Sequence, residues 1–132
     1  MEKTGSIFTY AQFVKRMTSG QGVATPDGGC PVGFALDVLR GRWKADVLYR
    51  LRVGAVGFGE LQRQLPGVTR AMLSSTLRDL ERDGVVRRRE FADGKVKHTE
   101  YSLTDKGKDL YPVFYALMKW GWKHSQIKGT EK

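Results

Sequence analysis

The spacing of apolar residues predicts a mainly helical chain that contains one extended segment. Apolar residues three and four positions apart indicate amphipathic helices, because about 3.6 residues make one helical turn. Between residues 85 and 103 this period is lost, and β-branched residues mixed with charged ones indicate two strands. The predicted fold class is therefore α+β, mainly α. The helical stripes lie in residues 10–17, 31–39, 43–51, 58–65, 69–82 and 104–120.

The first 29 residues are predicted to form a helix and a linker outside the main domain. The helix has apolar residues at positions i, i+3, i+4 and i+7. Residues 18–29 are rich in Gly, Ser, Thr and Pro, which is typical of a linker. The main domain is predicted over residues 30–126, followed by a frayed tail at 127–132. The apolar stripe of the first helix consists of Tyr10, Phe13, Val14 and Met17.

The most informative segment predicts a helix-turn-helix. A short helix over 58–65 is followed by a tight turn at 66–68, which contains Gly67. Thr69 is a suitable N-cap for the longer helix that comes next. A helix, a tight turn with glycine and a longer helix form the arrangement by which many proteins enter the major groove of DNA.

The outward face of the longer helix suits a recognition helix. It is small and polar at its start and basic further along, and the N-terminal residues of such a helix must approach base edges closely. The alternative is an ordinary solvent-facing helix of a helical bundle. The residues predicted to contact DNA here are Thr69, Arg70, Ala71, Ser74, Ser75, Arg78 and Arg82.

A basic β-hairpin is predicted directly after this helix. Strands over 85–91 and 96–103 flank Asp93 and Gly94, a pair that favours a tight turn. A helix-turn-helix followed by a basic hairpin is the winged variety, whose wing contacts the DNA backbone or the minor groove. The alternative is a strand edge that charge keeps from pairing. The wing residues predicted to contact DNA are Arg87, Arg88, Arg89, Lys95, Lys97 and His98.

The last helix predicts a second copy of the chain as a partner. Thr104 is its expected N-cap, and Pro112 is expected to kink or break it near its first turns. Its aromatic surface exceeds what so small a domain can bury alone, and the simplest partner for such a surface is another copy. The predicted homodimer interface combines both terminal helices through Tyr10, Phe13, Val14, Met17, Leu110, Val113, Phe114, Leu117 and Trp120.

Charge and composition agree with a DNA-binding protein. The formal net charge of +9 suits a polyanionic partner, because Lys and Arg release counterions from phosphates. A basic surface that only keeps the protein soluble is the alternative. The histidines are His98 and His124, and no metal-binding, nucleophilic or phosphate-cradling motif accompanies them. No enzyme, cofactor or metal is therefore expected. A winged helix that binds another protein stays open as a rival function.

The chain has a single cysteine, Cys30, which limits the thiol chemistry that one chain can carry out. It excludes a disulfide within one chain and makes a structural zinc site very improbable. The sequence contains no apolar leader-like segment and no run of about 20 apolar residues. A cytoplasmic protein without a membrane partner is therefore expected.

Residues 30 to about 122 resemble the HxlR family of winged-helix regulators, which are related to the MarR group. The resemblance implies a homodimeric transcription regulator that binds a pseudo-palindromic operator in duplex DNA, with a small-molecule effector as an option. The chain departs from the family pattern at Gly57, where a basic residue is usual, in its wing, which lacks prolines, and in its longer N-terminal segment. The residues that carry the resemblance are Cys30, Pro31, Val32, Gly41, Arg42, Trp43, Phe58, Gly59, Glu60, Leu61, Leu65, Pro66, Gly67, Val68, Thr69, Met72, Leu73, 77–84, Glu100, Tyr101, Ser102, Leu103, Thr104, Gly107 and Trp120.

The resemblance also gives Cys30 a candidate role. Several family members sense electrophiles or oxidants through a cysteine at this place. If Pro31 is the first helical residue, Cys30 is the N-cap, where the helix dipole favours a thiolate. Two alternatives stay open. Cys30 could be a small buried apolar residue, or the regulator could respond to a ligand at the dimer interface with no role for the thiol.

Overall fold

The computed structural model describes residues 9–125, which divide into two compact units. One unit ends at Arg40 and the other begins at Gly41. The first holds α1 (Tyr10–Thr18) and α2 (Pro31–Leu39), and the second holds all other elements. The predicted tail at 127–132 lies outside the described residues, and the predicted start of the main domain at residue 30 stays a prediction.

Both helices of the N-terminal unit begin as the sequence predicts. At the start of α1 the Thr9 hydroxyl accepts from the Gln12 N–H at 3.1 Å, and the Gln12 side chain accepts from the Thr9 N–H at 2.9 Å. This reciprocal capping satisfies two N–H groups that a helix end leaves unpaired. Pro31 is the first residue of α2 and Cys30 is its N-cap. Residues 19–30, most of the predicted linker, contain neither helix nor strand.

The core of the C-terminal unit is built from the apolar stripes predicted in the sequence. They lie on α3 (Lys44–Arg50), α4 (Phe58–Gln64) and α5 (Arg70–Arg82), and a single 3₁₀ turn (Leu51–Val53) extends α3. Aliphatic side chains fill the centre, since burying each is worth about 1.5–3 kcal/mol. The buried residues of this unit are Trp43, Val47, Leu48, Leu51, Leu61, Leu65, Val68, Leu73, Leu77, Leu80, Val85, Val86, Tyr101, Leu103 and Phe114.

The helix-turn-helix has the predicted form. The turn between α4 and α5 contains Gly67 with φ of +92°, a conformation that a residue with a Cβ rarely adopts. Thr69 caps α5, and its hydroxyl accepts from the Met72 N–H at 3.1 Å. The turn and the cap together fix where the longer helix begins.

The hairpin after α5 forms the predicted wing within a three-stranded antiparallel sheet. Strands β2 (Val86–Asp93) and β3 (Val96–Leu103) pair along their whole length, and Gly94 and Lys95 form the turn. The sheet order is β1-β3-β2. Strand β1 (Val56–Gly57) is a third strand, in addition to the two that the sequence predicts between residues 85 and 103. Two residues that pair through their backbone leave no periodic side-chain pattern, so sequence alone gave no sign of this strand.

The last predicted helix is in fact two helices. Thr104 caps α6 (Asp105–Lys108), and α7 (Tyr111–Ser125) begins after a short connection that contains Leu110. The prediction of one helix from Thr104 onward is therefore wrong, whereas the predicted break near Pro112 is confirmed. Pro112 occupies the first turn of α7, where its missing N–H would have no helical partner anyway.

Helix α6 anchors the end of α5. The Thr104 hydroxyl donates to the Gly84 carbonyl at 2.6 Å, and the Lys106 ammonium donates to the Asp83 carbonyl at 2.8 Å. The Thr104 N–H also donates to the Val85 carbonyl at 3.1 Å. Gly107 is buried directly against that carbonyl. The C-terminal end of α5 is thus fixed from outside the helix-turn-helix.

Candidate nucleic-acid interface

A groove runs along α5 on the side that faces the hairpin. It consists of a larger hollow of about 700 Å³ and a smaller one of about 420 Å³. Ser74, Arg88 and Tyr101 line both hollows, so the two are continuous. The larger hollow lies among the first turns of α4 and α5 and strand β3. We call these two hollows the groove.

The outer face of α5 is open, as the sequence predicts. Leu73 and Leu77 are buried, whereas Ala71, Ser75 and Arg78 are exposed. Small side chains in the first turns let the helix backbone approach a flat or ridged partner closely. The arginine one turn later can reach further.

Two predicted contact residues of α5 already have partners within the protein. The Thr69 hydroxyl is engaged in capping the helix. Arg82 pairs with Asp79 at 2.8 Å, and Asp79 also lies 3.8 Å from the Lys44 ammonium. Thr69 and Arg82 therefore have less hydrogen-bonding capacity open to another molecule than their residue types suggest.

The structure separates the predicted wing residues into two groups. Side chains alternate along a strand, so Arg88 lies on the sheet face opposite Arg87 and Arg89. Arg88 and Lys97 share one sheet face and line the groove, and His98, which stands opposite Phe91 on the other face, lines it as well. Arg89 instead pairs with Glu100 at 2.7 Å, and Lys95 lies in the turn at the tip of the hairpin.

The larger hollow of the groove is more positive than its residue types suggest, because both of its carboxylates are paired. Glu60 accepts from Arg63 at 2.5 Å and from Gln64 at 3.1 Å. These hydrogen bonds, the one from Arg63 foremost, hold the pKa of the Glu60 carboxyl below its usual range. Glu100 is the partner of Arg89. Arg70 and Lys97 therefore dominate the charge that the groove presents.

An aromatic ring supports one groove arginine, Arg70, and a carboxylate pairs with another, Arg88. The Arg70 guanidinium lies 4.9 Å from the centroid of the Phe58 ring, and that ring lies 6.4 Å from the ring of Tyr101. Hydrogen bonding, to Glu90 first and to Tyr101 next, raises the pKa of Arg88 above its usual range.

Sequence reasoning missed part of the groove lining. Phe58, Glu60 and Tyr101 carry part of the family resemblance, but none of them was predicted as a site residue. Arg63 was not singled out, although its i, i+3 spacing from Glu60 places the two on one face of α4. That spacing is the one signal in the sequence that could have drawn attention to them.

The exposed apolar surface of α7 matches the predicted dimer residues in part. Val113, Leu117 and Trp120 are exposed, but Phe114 is buried and Leu110 is half-buried. In α1, Tyr10 and Met17 are exposed, whereas Phe13 and Val14 are half-buried. A hollow of about 350 Å³ lies between α3 and α7. It is lined by Ala45, Asp46, Tyr49, Phe114, Leu117 and Met118.

Cys30 is exposed, and its thiol makes no capping hydrogen bond to α2. The alternative of a small buried apolar residue is therefore wrong. Within the N-terminal unit, the Gly-rich segment that precedes Cys30 does not bury the Cys30 side chain.

Residues 9–125 contain neither a metal-binding cluster nor a membrane-spanning helix. Within that part of the chain no cluster of three or more His, Cys, Asp or Glu side chains could hold a metal ion. Across the same residues no helix is both long enough and apolar enough to span a bilayer.

Comparisons with known proteins agree with this architecture. Residues 38–128 match the model of the HxlR-like helix-turn-helix family. The uncharacterized HTH-type transcriptional regulator YdeP of Bacillus subtilis (strain 168) is 43% identical over 96 residues, which are 73% of this chain and 74% of that protein. The regulator YybR of the same strain is 42% identical over 99 residues, which are 75% and 78% of the two chains.

A solved structure extends the likeness to the fold. The redox regulator HypR in its reduced form superposes with a TM-score of 0.70 at 36% sequence identity, covering 76% of this chain and 99% of that one. The fold is thus a winged helix, and the relatives are regulators of transcription rather than enzymes. The chain belongs to the HxlR-like helix-turn-helix family of transcriptional regulators.

Proposed function

We propose that this regulator binds a pseudo-palindromic operator in duplex DNA as a homodimer and acts in the cytoplasm. The observation that carries the proposal is the groove, which has cationic side chains on both walls beside an open helix face. Arg70 lies on the α5 wall, and Arg88 and Lys97 lie on the hairpin wall. A phosphate chain between two such walls releases counterions to both.

The two parts of this surface have different roles. The first turns of α5 enter the major groove, where Ala71 and Ser75 allow close approach and Arg78 reads base edges. The groove holds the sugar–phosphate backbone through Arg70, Arg88 and their neighbours. Phosphate contacts fix the register of the protein on DNA, while base contacts determine sequence preference. In a two-fold dimer the two α5 helices enter successive major grooves about 34 Å apart.

Arginine substitutions on the two parts should have different signatures. We expect Arg78→Ala to cost roughly 1–3 kcal/mol on the preferred duplex and much less on random DNA. Arg88→Ala should weaken binding to all duplexes alike and lower the salt slope by about one, because it removes one phosphate contact. Fluorescence anisotropy across a salt series measures both, on a duplex selected from a random library and on an unselected one.

The matched control is Lys108→Ala, which removes a positive charge from exposed α6 outside the groove. It should leave the salt slope close to that of the wild type. If Arg78→Ala and Arg88→Ala bind every duplex as the wild type does, the assignment of this surface is rejected. If the wild type shows no salt-dependent binding to any duplex, a protein-binding winged helix becomes the better interpretation.

The proposal of a dimer is supported by the exposed apolar side chains of α7, which would contact water in a monomer. Val113, Leu117 and Trp120 lie along one flank of the helix, since their positions differ by three or four residues. A monomer rarely exposes a contiguous apolar patch of this kind. The contribution of the α1 stripe to the dimer stays a prediction.

A second candidate function is control by the thiol of Cys30. It is supported by the exposure of that side chain and by the similarity to HypR, a redox regulator. With one cysteine per chain, an oxidised form would need the partner's Cys30 or a small thiol to complete a disulfide. A ligand in the hollow between α3 and α7 is the competing means of control.

Alkylation of Cys30 tests the thiol directly. We expect iodoacetamide, which forms a thioether at the sulfur, to change the affinity for the selected duplex by about 5-fold or more. Mass spectrometry gives the extent of modification, and anisotropy gives the affinity before and after it. Cys30→Ser, treated identically, should not respond. Stoichiometric modification with unchanged affinity would leave the thiol without a regulatory role.

A further inference from the structure

We infer that Phe58 and Tyr101 are positioning residues for DNA binding, which hold Arg70 and Arg88 ready to contact the sugar–phosphate backbone. We call this pair of rings the aromatic bridge. It spans the floor of the groove from the α5 wall to the hairpin wall. The inference rests on the proposed function and adds two residues to it that do not themselves carry charge.

The first half of the bridge fixes Arg70. Arg70 is the first residue of α5 and Phe58 is the first residue of α4. The guanidinium carbon lies 4.9 Å from the ring centroid of Phe58, within the range of a cation–π contact. This contact ties a long flexible side chain to the start of the preceding helix.

The second half fixes Arg88. Tyr101 stands directly opposite Arg88 in the β2–β3 register, so the two side chains share one face of the sheet. Tyr101 is only 6% exposed, and its ring lies 6.4 Å from that of Phe58 with an angle of 53° between the ring planes. The buried ring therefore supports Phe58 and lies beside Arg88, whose guanidinium is also paired with the Glu90 carboxylate.

A ring supports an arginine in a way that a carboxylate does not. Stacking uses the face of the guanidinium, so the N–H donors in its plane stay available. Carboxylates engage the donors of three other arginines, which show the opposite case: Arg63 with Glu60, Arg82 with Asp79 and Arg88 with Glu90. Within residues 9–125 no carboxylate pairs with Arg70. The protein therefore orders this side chain without neutralising it.

Holding an arginine side chain in place before DNA binds should increase the affinity of the protein for DNA. An arginine that is free in solution loses rotamer freedom when it meets a phosphate, and that loss opposes binding. The aromatic bridge removes part of the loss in advance. Its effect should therefore appear only when the arginine that it supports is present.

A double-mutant cycle tests this dependence. Phe58→Leu keeps an apolar side chain but removes the ring, and we expect it to weaken binding to a labelled random-sequence duplex about 3- to 10-fold. In an Arg70→Ala background the same change should have little further effect. Phe58→Tyr, which keeps the ring face, should bind close to the wild type. Combined with Arg78→Ala, at a position that does not line the larger hollow with Phe58, Phe58→Leu should act additively.

A second cycle examines the other half of the bridge. Tyr101→Phe keeps the ring and removes the hydroxyl, so its effect should vanish in an Arg88→Ala background and persist in an Arg70→Ala background. Thermal unfolding identifies any variant that does not fold. Phe58→Met replaces Phe58→Leu in that event, because it fills similar space without a ring.

The outcomes separate the inference from the proposed function. If Phe58→Leu has the same effect on binding with and without Arg70, the inference is overturned and Phe58 has only a structural role. The same follows if the Phe58→Leu variant binds the duplex as tightly as the wild type. Loss of binding in Phe58→Tyr as severe as in Phe58→Leu would do the same. A wild-type protein that fails to bind the duplex contradicts the proposed function itself, before any variant is measured.

Discussion

Replacing Gly107 with alanine is expected to lower the free energy of unfolding by roughly 3 kcal/mol. A Cβ at this position would overlap the Val85 carbonyl oxygen and lie 3.3 Å from the Leu103 Cδ2 atom. The oxygen belongs to the backbone and already accepts from the Thr104 N–H, so it cannot move aside without breaking that bond. Chemical denaturation at a fixed protein concentration measures the loss.

Gly121 provides the matched control for this substitution. It also lies in a helix, but a Cβ there would meet nothing within 4 Å outside its own helix backbone. Gly121→Ala should therefore be neutral or raise the free energy of unfolding by about 0.5–1 kcal/mol, since alanine is the better helix former. Equal stability of the two variants would mean that α6 does not press against Val85 as described.

Replacing Leu117 with glutamate is expected to convert the proposed homodimer into a monomer and to weaken operator binding about 100-fold. The carboxylate would be buried without a partner in the proposed interface, which is costly. A monomer then binds one half-site and loses the avidity that a second linked contact provides. Light scattering reports the mass, and anisotropy on the selected duplex reports the affinity.

Lys119→Glu is the control for the dimer, because it places a carboxylate on the same helix about 200° away around its axis. It should leave the mass at twice that of the chain. A Leu117→Glu protein that stays dimeric with full operator affinity would show that α7 is not the interface.

The central part of the fold could be predicted because several signals agree there. The buried stripe of α5, its Thr69 cap and the glycine in the preceding turn all indicate the same boundaries. The hairpin was predicted from the loss of the helical period after α5 and from the turn signal at Asp93 and Gly94. By contrast, the β1 strand depends on backbone pairing with Tyr101 and Glu100, which are 40 or more positions away in sequence. Such a pairing leaves no local pattern.

The candidate site was less predictable than the fold. A periodic pattern separates inward from outward positions, and it placed Arg78 and Ser75 correctly on the open face of α5. It does not tell which half-buried residue of one element meets an arginine of another, so the role of Phe58 was not visible. The ion pair between Arg89 and Glu100 was hidden for the same reason, since it joins neighbouring strands.

The open face of α5 also bears on how regulators of this kind diverge. Ala71, Ser75 and Arg78 project away from the core, while Leu73 and Leu77 on the opposite side hold the helix in place. Substitutions at exposed positions usually change stability by less than about 0.5 kcal/mol. Under the proposed function, one copy can therefore acquire a new operator preference after a gene duplication through these positions while its fold stays intact. Selection on DNA sequence and selection on folding would then act on separate sets of residues.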